Sequence, residues 1–302
     1  MNFTYKQIWL INFPVMMSLL MEQLINLTDT IFLGHVGEVE LGASALAGMY
    51  YIAIYMLGFG FSLGLQVMIA RRNGEGNLQK TGETFWQGMF FLITLSILTF
   101  TFSKLFSPTL LRTVISSDQI YLAVIQYISW RDYSFLSVFP ILAYRAFYVW
   151  TTKTRVLTIN SILLVTTNTL LNYLLIFGVG GFPRLGMAGA AIASSVAEVV
   201  ALIYLVTYTY FKVDKKKYGW RYSFNFPLLR QLFQLSSWTM IRSFFCIAPW
   251  FLFFIAIEHL GERQLAAGNV VRSVSVILFV IVNSFATTGI SLVSNLIGAG
   301  QT

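Results

Sequence analysis

Long apolar blocks separated by short polar punctuation run through the whole chain. Residues 85–102, 156–179 and 274–285 are the plainest of these blocks. Between such blocks lie "GHVGEVE", "RRNGEGN", "SPTLLRTVISSD", "TTKTR", "GVGGFPRLG" and "KVDKKKYGWRYSFNFP". The pattern predicts eight helices, at about 8–33, 41–70, 81–106, 119–150, 156–178, 187–211, 232–258 and 265–296. A helix needs about 20 mostly apolar residues to cross the hydrocarbon of a bilayer. Irregular backbone facing lipid is excluded, because unpaired peptide groups are costly there. Barrel strands would instead show short alternating segments. The predicted fold class is therefore all-α, a multi-pass transmembrane helical bundle.

Composition agrees with this pattern. Charged residues make up 11% and hydrophobic residues 57% of the 302 residues, whereas a soluble domain carries about 25% charged residues. The net charge of +8 is scattered over inter-helix loops, so no nucleic-acid partner is expected. One cysteine, Cys246, falls within an apolar span and excludes an internal disulfide. The first apolar run is expected to be a retained span and not a cleaved leader. Short cytoplasmic loops keep positive charge. Alternate loops hold twelve Lys and Arg on one side and four on the other. This bias places the N-terminus in the cytoplasm of a cell (inner) membrane protein. The basic run 212–217 is expected to attract anionic membrane lipid.

One turn is written twice. "GHVGEVELGA" begins at Gly34 and "EHLGERQLAA" at Glu258, a constant offset of 224 residues that also superposes "NGEGN" on "IGAGQ". The only two histidines, His35 and His259, are equivalent within this repeat. Six predicted spans separate the copies, so each copied helix crosses in the direction of its original. Parallel repeats of this kind are a plan of secondary transporters.

The stretches "DTIFLGHVGEVELGASAL", "ARRNGEGN", "NTLLNYLLIFG" and "LGMAGAAIAS" resemble the multidrug and toxic compound extrusion family. The resemblance covers essentially the whole chain. It implies two six-helix lobes around a central cavity, exporting organic, often cationic, drugs in exchange for H⁺ or Na⁺, with no other cofactor. On that plan, residues 1–211 form the N-terminal lobe and 212–231 a basic cytoplasmic loop. Residues 232–302 form the first two helices of a second, incomplete lobe. Four further helices would then be expected as a separate chain or a lost portion.

Four carboxylates fall within the predicted spans: Glu22, Asp29, Asp132 and Glu198. A charge at the bilayer centre costs about 2.5–3.5 kcal/mol, so such groups face the protein interior and mark ion pathways. Ser18, Glu22, Asn26 and Asp29 share one face of the first helix and form a polar stripe. Asp29 is the leading coupling residue, a carboxylate that can hold a proton or Na⁺ in one state and release it in another; capping of the helix end is the alternative. Asn168 and Asn172 lie four apart on one face, and their amide oxygens suit a hard cation. Interhelical hydrogen bonding, worth about 0.6 kcal/mol in membranes, explains them equally well. In the family the second of these positions is an aspartate, so Asn172 removes a carboxylate and shifts weight to proton coupling through Asp29. Ser194 stands where the family often has a hydroxyl near the cation site, and Glu198, one turn later on the same face, extends this cation-coupling set as part of the polar network or as a second protonatable group. Arg131 and Asp132, being adjacent, diverge and are expected to pair with other helices. Pro14 and Pro140 interrupt spans and are candidate hinges. The run "LGMAGAAIASS" provides a small-residue packing face.

Two other functions compete. A flippase of lipid-linked precursors would need several cavity cations, and only Arg131, Arg145, Arg242 and Arg272 lie in or near spans. An intramembrane enzyme would need a catalytic constellation, and no HExxH or paired-aspartate motif occurs. An inactive fragment is the third alternative.

Overall fold

Turns or loops at 35–37, 75–77, 115–117, 178–185 and 259–261 separate the helices at five of the polar interruptions. The computed structural model describes residues 5–150, 155–220, 222 and 224–298. Among these it has nine α-helices: α1 (Tyr5–Gly34), α2 (Glu38–Gly74), α3 (Leu78–Val114), α4 (Asp118–Arg131), α5 (Phe135–Trp150), α6 (Arg155–Phe177), α7 (Gly186–Lys212), α8 (Phe226–Glu258) and α9 (Glu262–Gly298). Seven helices among the described residues are long and apolar enough to cross a membrane. The protein is an all-α, multi-pass membrane bundle, as the hydropathy pattern predicts.

The predicted single span 119–150 is two helices. A 3₁₀ turn, Asp132–Ser134, separates α4 from α5. There the Phe135 N–H bonds to the carbonyl of Asp132, three residues back, so the ladder tightens without leaving right-handed helical dihedrals. Adjacent side chains explain the break: Asp132 and Ser134 are both buried and both engaged by other helices. A stretch of 3₁₀ inside a longer helix often marks strain or a hinge. Several other helices outrun their apolar blocks because polar residues cap them. Asn77, Ser117 and Asn225 each accept a first-turn N–H of α3, α4 and α8, which satisfies donors that a helix start leaves open.

The repeat is visible in the helix limits. α2 and α9 are both 37 residues long and lie 224 residues apart at both ends. α8 ends at Glu258, the equivalent of Gly34 at the end of α1. The equivalent helices α2 and α9 run side by side nearly in register. Asn269 Nδ2 donates to Leu41 O at 3.1 Å and Ser44 Oγ at 2.9 Å. Farther along, Gln66 Nε2 donates to Thr287 O at 3.0 Å and Asn73 Nδ2 to Asn295 Oδ1 at 2.7 Å. α1 packs on α6 and α9, while α8 packs mainly on α2. The pairs α1–α9 and α2–α8 are therefore exchanged by the repeat, with its axis passing between α2 and α9.

The core centres on α2, where Leu46, Phe61, Leu65 and Ile69 are buried with Phe85, Phe139 and Phe147 from α3 and α5. Small residues bring α7 against α6. A side chain at Gly189 would meet the backbone carbonyl of Leu175 at 2.7 Å, so the backbones approach as closely as the "LGMAGAAIASS" run predicts. Exposed Ile97, Leu98, Phe102 and Leu105 on α3 are what a lipid-facing helix presents.

Candidate functional site

Three helices converge on Asp29. It lies near the end of α1 beside the 168–172 face of α6 and the small-residue start of α7. Asn172 Nδ2 donates to Asp29 Oδ1 at 2.5 Å and to Asn168 Oδ1 at 3.0 Å. Asn168 Nδ2 donates to Ser194 Oγ at 2.9 Å, and Ser194 Oγ donates to Asp29 Oδ2 at 3.4 Å. The four residues form a closed ring in which two donor paths start at Asn172, one direct and one through Asn168 and Ser194, and both end on the carboxylate. Asn168, Asn172 and Ser194 are buried. The i, i+4 spacing of the asparagines sets them on one helical face, and Gly189 lets α7 bring Ser194 within reach. One atom is left over: Asn172 Oδ1 is buried without a hydrogen-bond partner. A buried, unpaired acceptor costs about 1–3 kcal/mol, so this oxygen invites a proton-bearing or cationic partner.

A second polar cluster lies alongside. Arg131 Nη2 meets Glu198 Oε1 at 2.8 Å and Nη1 donates to Ser134 Oγ at 2.7 Å. Ser134 Oγ in turn reaches Glu198 Oε2 at 2.5 Å. The guanidinium stacks over the ring of Tyr51 at 4.2 Å and lies within electrostatic reach of Asp29. Asp132 faces the other way. It accepts from Ser103 Oγ at 2.7 Å and lies 3.9 Å from Lys104 Nζ. The two adjacent charges thus brace the break between α4 and α5 against α7 on one side and α3 on the other.

Of the candidates, the fold brings Asp29, Asn168, Asn172 and Ser194 together and holds Glu198 one turn farther along α7, with Arg131. Asn26 bonds locally to Gln23 Oε1 at 3.0 Å, so it is satisfied within α1. The side chains of Ser18 and Glu22 lie outside the described residues. Pro14 and Pro140 sit inside α1 and α5, and Thr158 Oγ1 of α6 donates to the Pro14 carbonyl at 3.4 Å. Sequence reasoning missed Ser134 and Tyr51. A serine and a tyrosine in apolar spans are unremarkable until the fold places them against Arg131. Both histidines lie against the carbonyl four residues back, His35 Nδ1 2.7 Å from Ile31 O and His259 Nδ1 2.9 Å from Ile255 O, and His259 Nδ1 also lies 3.3 Å from Glu258 Oε2.

Helices α1, α2 and α9 border an apolar groove of about 310 Å³ lined by Leu27, Thr30, Ile31, Leu41, Val270 and Ser273. The Thr30 and Ser273 hydroxyls meet across it at 3.2 Å.

Known proteins are similar to this chain in sequence and in fold. The chain is 24% identical over 281 residues to a probable multidrug resistance protein NorM of Agrobacterium fabrum, covering 92% of this chain and 60% of that protein. A protein of the same name from Neisseria meningitidis serogroup B is 26% identical over 292 residues, covering 91% and 61%. The chain thus spans about three-fifths of the length of these relatives. Among solved structures, an outward-facing multidrug resistance MATE family transporter of the MOP superfamily matches 99% of this chain and 69% of its own, with a TM-score of 0.83 at 19% identity. A MOP superfamily transporter from Pyrococcus furiosus matches with a TM-score of 0.82 at 18% identity, covering 99% and 69%. These likenesses establish the fold. The MatE family model matches residues 14–174, a stretch that runs from the proline of α1 through both asparagines of the ring, and by that match the chain belongs to the MatE family.

Proposed function

We propose that this chain forms the greater part of a secondary active antiporter that exports organic, often cationic, drugs or metabolites in exchange for H⁺ or Na⁺. Asp29 carries the coupling ion. The observation behind this reading is the ring whose two donor paths both end on Asp29, together with the unpartnered Asn172 Oδ1 beside it. With Asp29 ionised, the ring satisfies the carboxylate. When Asp29 takes up H⁺ or Na⁺ its demand for donors falls, and Asn172 and Ser194 are released to rearrange. The coupling ion thereby changes how α6 and α7 hold α1. The residues present suit Na⁺ only partly: one carboxylate, one free amide oxygen and one hydroxyl make a lean set for a hard cation that prefers several oxygens.

The groove between α1 and α9 supports the substrate side of the reading, since an apolar wall with a few polar groups is what an amphiphile needs. The N-terminus faces the cytoplasm in this scheme, and the 212–217 run lies against anionic lipid. A flippase is disfavoured because Arg131 is already committed to Glu198.

The test is accumulation of a fluorescent organic cation in drug-sensitive cells expressing the natural gene product. Expression should lower accumulation, and Asp29→Asn should abolish the effect at equal membrane abundance. Undiminished export by Asp29→Asn would refute the assignment of Asp29.

A further inference from the structure

We infer that Glu258 is a latch that closes the outer end of the transport path by clasping the start of α4. This inference rests on the exporter reading and on the orientation that puts both histidine turns outside. Glu258 closes α8 and is 5% exposed. Its Oε1 accepts the Ser117 N–H at 2.9 Å and its Oε2 the Ser116 N–H at 3.2 Å. Those donors belong to the start of α4, where backbone N–H groups lack intrahelical partners and the helix dipole favours a negative charge. Glu262, at the start of α9, adds a second tie: Ser117 Oγ donates to its Oε1 at 2.9 Å while accepting the Ile120 N–H at 3.3 Å. Two acids of one turn therefore hold one helix start. Ile120 of α4 and Leu265 of α9 are fully buried and both pack on Gly42 of α2.

The repeat isolates this feature. His35 and His259 each meet the carbonyl four residues back and His259 Nδ1 also lies 3.3 Å from Glu258 Oε2, yet the position of Glu258 is Gly34 in the first copy. The turn is duplicated and the latch is not. Helix α4 links the latch to the candidate site. Ser117 caps its first turn, and Arg131 at its end is tied to Glu198. Moving the outer end of α4 thus shifts Arg131 against Glu198 of α7, one turn from Ser194 of the ring. Contacts of the latch kind can open reversibly, because water at the membrane surface replaces the carboxylate on the released N–H groups. The α2–α8 contact has no such substitute: a side chain at Gly60 would meet the backbone N of Met240 at 2.8 Å. It acts as the pivot while the latch opens.

The test uses Ile120→Cys in a Cys246→Ala background of the natural gene product, labelled on intact cells by a membrane-impermeant maleimide. Labelling should be slow in this parent. It should rise about tenfold or more in Glu258→Ala, the factor expected for losing a charge-assisted hydrogen bond, and rise less in Glu258→Gln, which keeps an acceptor. A rate unchanged in both variants overturns the latch, and so does labelling that appears only in inverted vesicles. The Gln variant keeps the test valid should the Ala variant fail to reach the membrane. A second arm oxidises Ser117→Cys/Glu262→Cys with copper phenanthroline. The cross-link should stop export of the fluorescent cation and reduction should restore it; full export by the cross-linked protein overturns the latch. If the uncross-linked pair and the unmutated protein both fail to export, the exporter reading fails, while the labelling arm still decides the latch.

Discussion

Asn172 of α6 donates to both Asp29 and Asn168 while its own carbonyl oxygen stays buried without a partner. The amide spends its donors on oxygens and leaves its acceptor open. Replacing it by aspartate changes the balance without changing volume, because a second carboxylate then faces Asp29. Hard cations favour sites with more charged oxygens. Asn172→Asp should therefore make export more dependent on external Na⁺, as measured by titrating Na⁺ at fixed pH. A Na⁺ response identical to that of the unmutated protein would show that position 172 lies off the ion's path.

Asn172→Leu asks for stability instead. It removes two donated hydrogen bonds and leaves buried acceptors on Asp29 and Asn168 short of partners. Such losses cost about 1–3 kcal/mol. Thermal unfolding in detergent should shift down accordingly, and Asp29→Asn/Asn172→Leu should destabilise by less than the two single changes together, because the residues touch.

The Arg131–Glu198 pair makes a different prediction. Both side chains are largely buried, 12% and 10% exposed, at 2.8 Å. Removing one partner of a buried pair leaves an uncompensated charge and costs about 3–5 kcal/mol. Glu198→Ala should accordingly be the most destabilising of the single changes considered. Arg131→Met/Glu198→Leu should recover much of that loss, since it removes both charges and keeps volume. A double variant as unstable as Glu198→Ala would mean that Ser134 and Tyr51, and not the charges, hold the break between α4 and α5.

How far the sequence carries can be judged at particular residues. The bundle was legible because lipid imposes one rule on every span, and the 224-residue offset predicted which helices would match. Asp29, Asn168, Asn172 and Ser194 could be singled out as polar residues in apolar helices, but their closure into a ring depends on how near α6 and α7 approach. That distance is set by Gly189 against Leu175, a tertiary fact. The break at Asp132–Ser134 was hidden because its dihedrals remain helical and its cause lies on α3 and α7. Glu258 was equally hidden. In the sequence it is an ordinary acid in a polar turn, and only the fold brings the α4 terminus to it.

Gly60 and Gly64 are four residues apart on the face of α2 that meets Met240 and Ser236 of α8. A side chain at Gly60 would lie 2.6 Å from Thr239 O and 2.6 Å from Met240 Cα, both backbone atoms that cannot swing aside. Gly60→Ala should separate the two helices and destabilise by about 1–3 kcal/mol, as overpacking does. Gly48 has nothing near it, and Gly48→Ala is the control: it should be neutral to stabilising, since alanine favours the helix by about 1 kcal/mol over glycine. Equal unfolding temperatures for the two variants would remove the tight crossing from the account of how α8 is held.

The two histidines test whether this chain does chemistry or transport. Each ring lies against the carbonyl four residues before it at the end of a helix, 2.7 Å for His35 and 2.9 Å for His259, and both are exposed. A side chain that satisfies a terminal carbonyl contributes at most about 1 kcal/mol, and neither ring is joined to Asp29 by a hydrogen bond among the described contacts. His35→Ala, at the turn that lacks the Glu258 contact, should therefore lower the unfolding temperature slightly and leave export of the fluorescent cation intact, in contrast to Asp29→Asn. Loss of export at full membrane abundance would place a proton step at that turn and require the coupling path to be redrawn from Asp29 outward through it.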